Sequence, residues 1–287
     1  MAFLRVAERP SADYLEAMKL QWICTVWGME ALAAREKLAR AKAAGFDGVE
    51  TGIPADAKER RELRAQLDET GLLLVAQQWT TGADPAAHAG SFEEQYRRAA
   101  EMYPLMVNSH TGRDIFSLKQ NLEVFKKAAK LEKELGIPVA HEVHRGRVTF
   151  SIQSTMALID AVPGVRLTAD FSHWCCVHES LLEDQEESVQ RAIAHTHHVH
   201  ARVGHAEAPQ VTDPRAPEWK KEVGVHVSWW QSIVDARKAE GMESLTICPE
   251  FGPPNYMATL PGTGTPVADQ WAINCYMKDF LRDRLIL

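Results

Sequence analysis

Several features that would each point to a class of protein are missing from this sequence. No segment approaches the ~18 uninterrupted apolar residues of a membrane span, and residues 1–10 carry two arginines and a glutamate instead of a signal-like apolar core. A cytoplasmic protein with no membrane partner is expected. There is no C-x-x-C spacing: Cys24, Cys175, Cys176, Cys248 and Cys275 form an odd set, read as reduced thiols and not as a disulfide framework. Cys175 and Cys176 are vicinal, and two small residues in a loop are the reading preferred over a zinc or redox pair. Positive charge is not in excess either. Lys and Arg total 32 against 39 Asp and Glu, a formal charge of −7 with a pI near 6.0, which opposes a nucleic-acid backbone as partner.

What is present is material for one large core, with 45% hydrophobic and 25% charged residues. Strand-like and helix-like stretches alternate. A β-rich segment over 19–28 leads to a helix over 29–44 that stops at Gly45. A strand over 49–53, a charged helix over 55–69 ending before Gly71, and a strand over 72–79 follow. Ser91-Phe-Glu-Glu94 fits a capping box that opens a helix to Glu101. A strand over 105–110 precedes a helix over 117–135, with Leu118, Leu122, Phe125, Ala129 and Leu135 near helical spacing and Gly136 as its stop. The strand at Pro138, a helix over 151–161, a strand ending at Asp170, an acidic helix over 179–194 and a strand ending at His200 continue the rhythm. Residues 204–219, with three prolines and no periodicity, read as a long loop over the site. A helix over 228–239, a strand over 245–250 and a closing helix over 269–285 complete the chain. The closing helix is apolar over more than one stripe, so its partner is either its own barrel or a second subunit in a homo-oligomer.

Eight strands, each followed by a helix and with no shift of composition, predict a single (β/α)8 TIM barrel over residues 1–287, a fold that typically takes ~250 residues. A doubly wound open sheet is the alternative. The first strand is not followed by the Gly-rich phosphate loop that such sheets use.

The last four strands end on ionisable residues. Pro138-Val-Ala-His-Glu-Val-His-Arg-Gly146 puts Glu142 and His144 on one face and His141 and Val143 on the other. The others end at Asp170, His200 and Glu250. Burying unpaired charge at the end of an apolar strand costs several kcal/mol, so something must compensate it. In a closed barrel the strand ends converge, which brings Glu142, Asp170, His200 and Glu250 together. Three carboxylates and an imidazole suit a divalent ion, with Mn²⁺, Mg²⁺ or Co²⁺ ahead of Zn²⁺. Pairing of single carboxylates with arginines, such as Arg145 with Glu142, is the bland alternative.

Around them, His173 either reaches the same site or is a loop histidine, and His198 reads as a hydrogen-bonded core residue. His144, His110 and Arg202 project near the rim, where they could hold polar substrate groups. Trp22, Trp27, Gln78 and Trp79 end early strands and are either core or aromatic walls for a sugar. Glu50 reads as a surface cap.

His-Glu-Val-His-Arg-Gly, Ala-Asp-Phe-Ser-His, His-Val-His-Ala-Arg and Pro-Glu-Phe-Gly, with Ala-Gly-Phe-Asp-Gly-Val-Glu near the start, resemble the xylose isomerase-like TIM-barrel family of sugar isomerases and epimerases over nearly the whole chain. The resemblance implies a metal held by Glu142, Asp170, His200 and Glu250, Mn²⁺ first among the candidates. It also implies proton transfer through a metal-stabilised enediolate, with Glu142 and Glu250 as the acid/base pair and His173 contacting substrate oxygens. The ketose 3-epimerase branch has an arginine six residues after its histidine ligand, where this chain has Ala206; Arg202 and His205 are the nearest candidates. The expected partner is a small sugar or sugar derivative. A lyase or hydratase acting on 3-keto sugars or glycosides by the same enediolate is the second reading. An abasic-site endonuclease is the third, opposed by the missing Asp-x-His after His200 and by the acidic balance.

Overall fold

The computed structural model describes residues 18–287. Eight parallel strands close into one barrel in sequence order: β1 (Lys19–Thr25), β2 (Gly48–Gly52), β3 (Leu73–Trp79), β4 (Met106–His110), β5 (Val139–Glu142), β6 (Leu167–Ala169), β7 (Thr196–His200) and β8 (Ser244–Cys248). Closure comes from β1 pairing with β8, Lys19 opposite Ser244 through Trp22 opposite Ile247. The helices are α1 (Ala34–Ala43), α2 (Ala57–Thr70), α3 (Pro85–Ala100), α4 (Leu118–Leu135), α5 (Ile152–Ala161), the short α6 (Ser172–Val177), α7 (Glu186–Ala194), α8 (Lys220–Ala239) and α9 (Gln270–Arg282). The barrel expected from the alternation is the fold observed.

Strand alternation sorts the side chains into two cores. Outward residues such as Val107, Val139 and Val199 pack under the helices, while Ile23, Val75, Met106, Ala140 and Cys248 form a separate apolar plug inside the barrel. Inward positions further along the strands are polar. Asn108 lies two residues beyond Met106, and Glu142 two beyond Ala140, so period-2 geometry stacks them one layer nearer the C-terminal end.

Several helix starts differ from the expectations, and each has a local cause. Residues 26–33 form turns with Gly28 at φ 89°, so α1 begins at Ala34 and not at 29. The helix α3 starts at Pro85 under Asp84, whose carboxylate accepts from Ala87 N, so the Ser91 capping box is not used; Asp at the N-cap with Pro at N1 is the stronger signal. Glu179 and Leu182 hold positive φ, which delays α7 to Glu186. Cys175 and Cys176 belong to the helix α6 and not to a loop. The helix α8 starts at Lys220, and β8 ends at Cys248, two residues short of Glu250. Where sequence and structure agree, the caps explain it. Ser117 and Gln120 form a capping box on α4, and Gly136 and Gly71 close α4 and α2 in the left-handed region.

The closing helix α9 docks on its own barrel through Ile273, Met277 and Leu281, which are buried, while Trp271, Tyr276 and Phe280 stay half-buried. All five cysteines are free. No helix among the described residues is long and apolar enough to cross a membrane.

Candidate metal centre

Glu142 and His200 are the last residues of β5 and β7, Asp170 follows β6 by one residue, and Glu250 follows β8 by two. Barrel closure brings them together: each offers a ligand atom within 4.8 Å of the others, and all four are buried. His200 Nδ1 lies 2.9 Å from Glu250 Oε2 and 3.7 Å from Glu142 Oε2, yet it makes no hydrogen bond. His110 Nε2 behaves likewise, 2.8 Å from Glu142 Oε2 but off the line a hydrogen bond needs. Buried imidazole nitrogens poorly aligned for hydrogen bonds and set among carboxylate oxygens are placed where a cation can be held between them. The donor set of three carboxylates and one imidazole therefore fits a divalent ion.

The electrostatics agree. Burial alone would push His200 down, but Glu250, Glu50 and Glu142 hold it well above the usual histidine range, a measure of the negative potential at this point. Burial also raises Asp170, to about 7, with Arg202 pulling the other way and Glu250 adding to the rise. For Glu142 the burial effect is outweighed by His110 and His200, which hold it well below the carboxylate range.

Arg202, 2% exposed, is the cation of the flank. Its Nη2 donates to Asp170 Oδ2 and to His173 Nε2 at 2.8 Å, its Nε donates to Ser172 Oγ at 3.2 Å, and Nη1 stands 3.8 Å from Glu250. Because the guanidinium only donates, His173 Nε2 must accept, which leaves the ring proton on Nδ1. His173 is fully buried behind Arg202 and His144. Arg145 does not pair with Glu142; its guanidinium lies 4.9 Å from the centre of the Tyr256 ring.

A cavity of about 460 Å³ opens over these groups. Glu142, Glu250, His110, His144 and Arg202 form its deep end, and aromatic rings form its sides. Trp79 stacks on His110 at 5.5 Å, Trp27 meets Tyr256 edge-on at 4.9 Å, and Tyr256 OH donates to His144 Nε2 at 3.3 Å. Trp22 is core, and Gln78 turns away to Ser109, leaving Gln77 on the cavity wall.

Two expectations need correction. Residues 204–219 do not lie over the cavity, and none of them lines it. His205 pairs with Ala208 and packs on Trp219 instead, because the segment folds back along the barrel through Val211 N to Val203 O. Glu50 is not a surface cap. It is 1% exposed on β2, bonded to His198, His200 and Asn108. His198 is the hydrogen-bonded core histidine its position suggested, tied to Thr246 and Glu50. The site residues that sequence reasoning missed are Asn108, Tyr256 and Lys37, all neutral or isolated polar residues without a distinguishing local pattern.

The comparisons agree on the fold. The family model described as xylose isomerase-like TIM barrel matches residues 38–263. A search of curated proteins finds no sequence match. Among solved structures, a D-allulose 3-epimerase from Methylomonas sp. superposes with a TM-score of 0.62 at 16% identity, covering 94% of this chain and 100% of that one. A 3-keto-D-glucoside 4-epimerase from E. coli gives 0.61 at 14% identity, with coverage of 92% and 100%. A xylose isomerase-like TIM barrel protein from Mycobacterium smegmatis in complex with magnesium gives 0.66 at 12% identity, with coverage of 92% and 96%. A dehydratase and an endonuclease IV share the same fold, so the architecture by itself does not select the reaction. With the family model spanning most of the barrel and the acidic strand ends converging on one point, the chain is a member of the xylose isomerase-like TIM-barrel family.

Proposed function

We propose that the protein is a divalent-metal-dependent isomerase or epimerase of keto sugars, with Glu142, Asp170, His200 and Glu250 as the ligands and Mn²⁺ as the preferred ion. The observation that carries this reading is the convergence of four buried ligand groups, two of which, Glu142 and Glu250, also line the cavity. A bound divalent ion would polarise a carbonyl oxygen and so acidify the C–H beside it.

The chain's own residues do the rest. One of Glu142 and Glu250 takes the proton from the carbon next to the carbonyl, and the other returns one to the same carbon or its neighbour. Asn108 orients Glu142, and Arg202 steadies Glu250. His110, His144 and Arg202 present polar atoms to substrate oxygens, while His173 acts on the substrate through Arg202 and His144. His205, away from the cavity wall, takes no part. The aromatic sides exclude water and suit the apolar faces of a sugar. Among the described residues, Lys37 and Arg202 are the only lysine or arginine side chains on the wall, which with the acidic balance disfavours a nucleic-acid substrate.

The test is deuterium exchange. Ketoses incubated in D₂O with Mn²⁺-loaded protein gain deuterium next to the carbonyl, read by NMR, and the Glu142→Gln and Glu250→Gln variants lose this. Wild-type protein that binds no divalent ion, or that binds one and exchanges no substrate proton, overturns the reading.

One observation favours a second reaction on the same machinery. With residues 204–219 folded away, the cavity mouth continues past Val26, Lys37, Thr51 and Gly52 into a groove of about 390 Å³ between α1 and α2, room for a substituent larger than one sugar ring. A 3-keto glycoside would place its leaving group there, and proton removal by the same carboxylate would expel it. Release of the aglycone, which an epimerase does not produce, separates the two.

A further inference from the structure

Beneath the four ligand groups lies a layer of side chains that hydrogen-bond to one another inside the barrel. At its centre is Glu50, which on the sequence alone reads as a surface cap. His198 Nε2 is 3.0 Å from its Oε2, His200 Nε2 is 3.0 Å from Oε2 and 3.2 Å from Oε1, and Asn108 Nδ2 is 2.7 Å from Oε1. A carboxylate with three donors converging on it can only accept, so both imidazoles must carry their protons on Nε2. With Nε2 committed to Glu50, Nδ1, the atom beside Glu250, is the nitrogen His200 can give to an ion by releasing its proton.

Asn108 extends the same control to a second ligand. Its Nδ2 also donates to Glu142 Oε2 at 2.8 Å, and its Oδ1 accepts from the Thr168 hydroxyl at 2.8 Å, which fixes the amide the right way round. The Thr246 hydroxyl, 2.6 Å from His198 Nδ1, anchors the other side. The anion and its donors are therefore locked before any ligand arrives.

We propose that Glu50 is the positioning residue of the metal centre: by accepting the Nε2 proton of His200 it commits Nδ1 to the ion, and through Asn108 it sets Glu142 against the same point. The proposal rests on the metal reading above. Glutamine at this position would turn an NH₂ group toward a donor that the carboxylate accepts, so one contact is lost and one is repelled.

The experiment is calorimetric titration of Mn²⁺ into metal-free wild type, Glu50→Gln and His198→Gln, with circular dichroism of each protein and the visible spectrum of the Co²⁺ forms. The expected result is roughly a 10- to 100-fold loss of affinity in Glu50→Gln with a changed Co²⁺ spectrum, and near wild-type affinity in His198→Gln, which leaves the Glu50–His200 contact in place. A folded Glu50→Gln with wild-type affinity overturns the proposal and leaves the metal reading intact. Wild-type protein that takes up no ion removes both. Where Glu50→Gln does not fold, long-range ¹H–¹⁵N spectra of the wild-type Zn²⁺ form decide: a protonated Nε2 and a metal-shifted Nδ1 on His200 support the assignment, and a metal-shifted Nε2 overturns it.

Discussion

Arg202 and Asp170 meet beyond the ends of β7 and β6 as a buried pair: the guanidinium donates directly to the carboxylate, and exposures are 2% and 0%. Removing one partner of a buried pair leaves the other charge uncompensated at a cost of about 3–5 kcal/mol. Arg202→Met is therefore expected to be less stable by that order in metal-free buffer, read by urea denaturation. Mn²⁺ should recover part of the loss, because a cation at the centre re-balances Asp170. Equal stability of variant and wild type without metal would show that the pair carries no such weight.

His226 gives a pH dependence outside the candidate site. Its Nδ1 donates to the Glu222 carbonyl at 2.9 Å and its Nε2 accepts from Gly204 N at 3.2 Å, so a second ring proton would point at a donor. Burial pushes its pKa down to about 4. Between the unfolded value of roughly 6.5 and about 4, the unfolded chain binds a proton that the folded chain refuses, and stability falls as pH falls through that window, by at most roughly 3 kcal/mol. The measurement is urea denaturation of metal-free protein at pH 7.5 and 4.5, beside His226→Gln. The variant should lose less stability on acidification than wild type; an identical loss would place the acid sensitivity elsewhere.

Gly252 leaves no room for a side chain. A Cβ there would lie 2.2 Å from Cη2 of Trp27, an indole held edge-on against Tyr256 at the cavity wall. Gly252→Ala is expected to displace Trp27, costing about 1–3 kcal/mol from overpacking and shifting tryptophan emission, with a raised KM for any substrate that touches this wall. Unchanged emission and KM would mean that the ring yields without effect.

The strand ends were legible because a carboxylate or imidazole closing an apolar, β-branched run is an anomaly visible within a few residues. Glu50 offered no such contrast. It stands in Phe46-Asp-Gly-Val-Glu50, a turn-like and acidic setting, and what defines it is His200, 150 residues away, which only barrel closure brings to it. Tyr256 lies on irregular chain after β8, where no periodicity predicts which way a ring turns. The start of α3 shows competing local signals: Asp84-Pro85 and Ser91-x-x-Glu94 both read as caps, and packing used the first. The segment over 204–219 was correctly irregular but wrongly placed, since composition says that a loop is long without saying where it lies.

The chain just past Glu250 leaves the sheet, and side-chain amides take over the role of a neighbouring strand. Asn274 of α9 grips both the N–H and the C=O of Phe251, and Gln210 does the same for Gly252. Glu250 is thereby clasped from two directions by segments that never touch the cavity. Shortening the 204–219 loop ahead of Gln210, or shifting α9 by a turn, would pull on the metal centre as a rope pulls on a tent pole. Length changes confined to residues 211–219, past Gln210 and short of α8, would leave it standing.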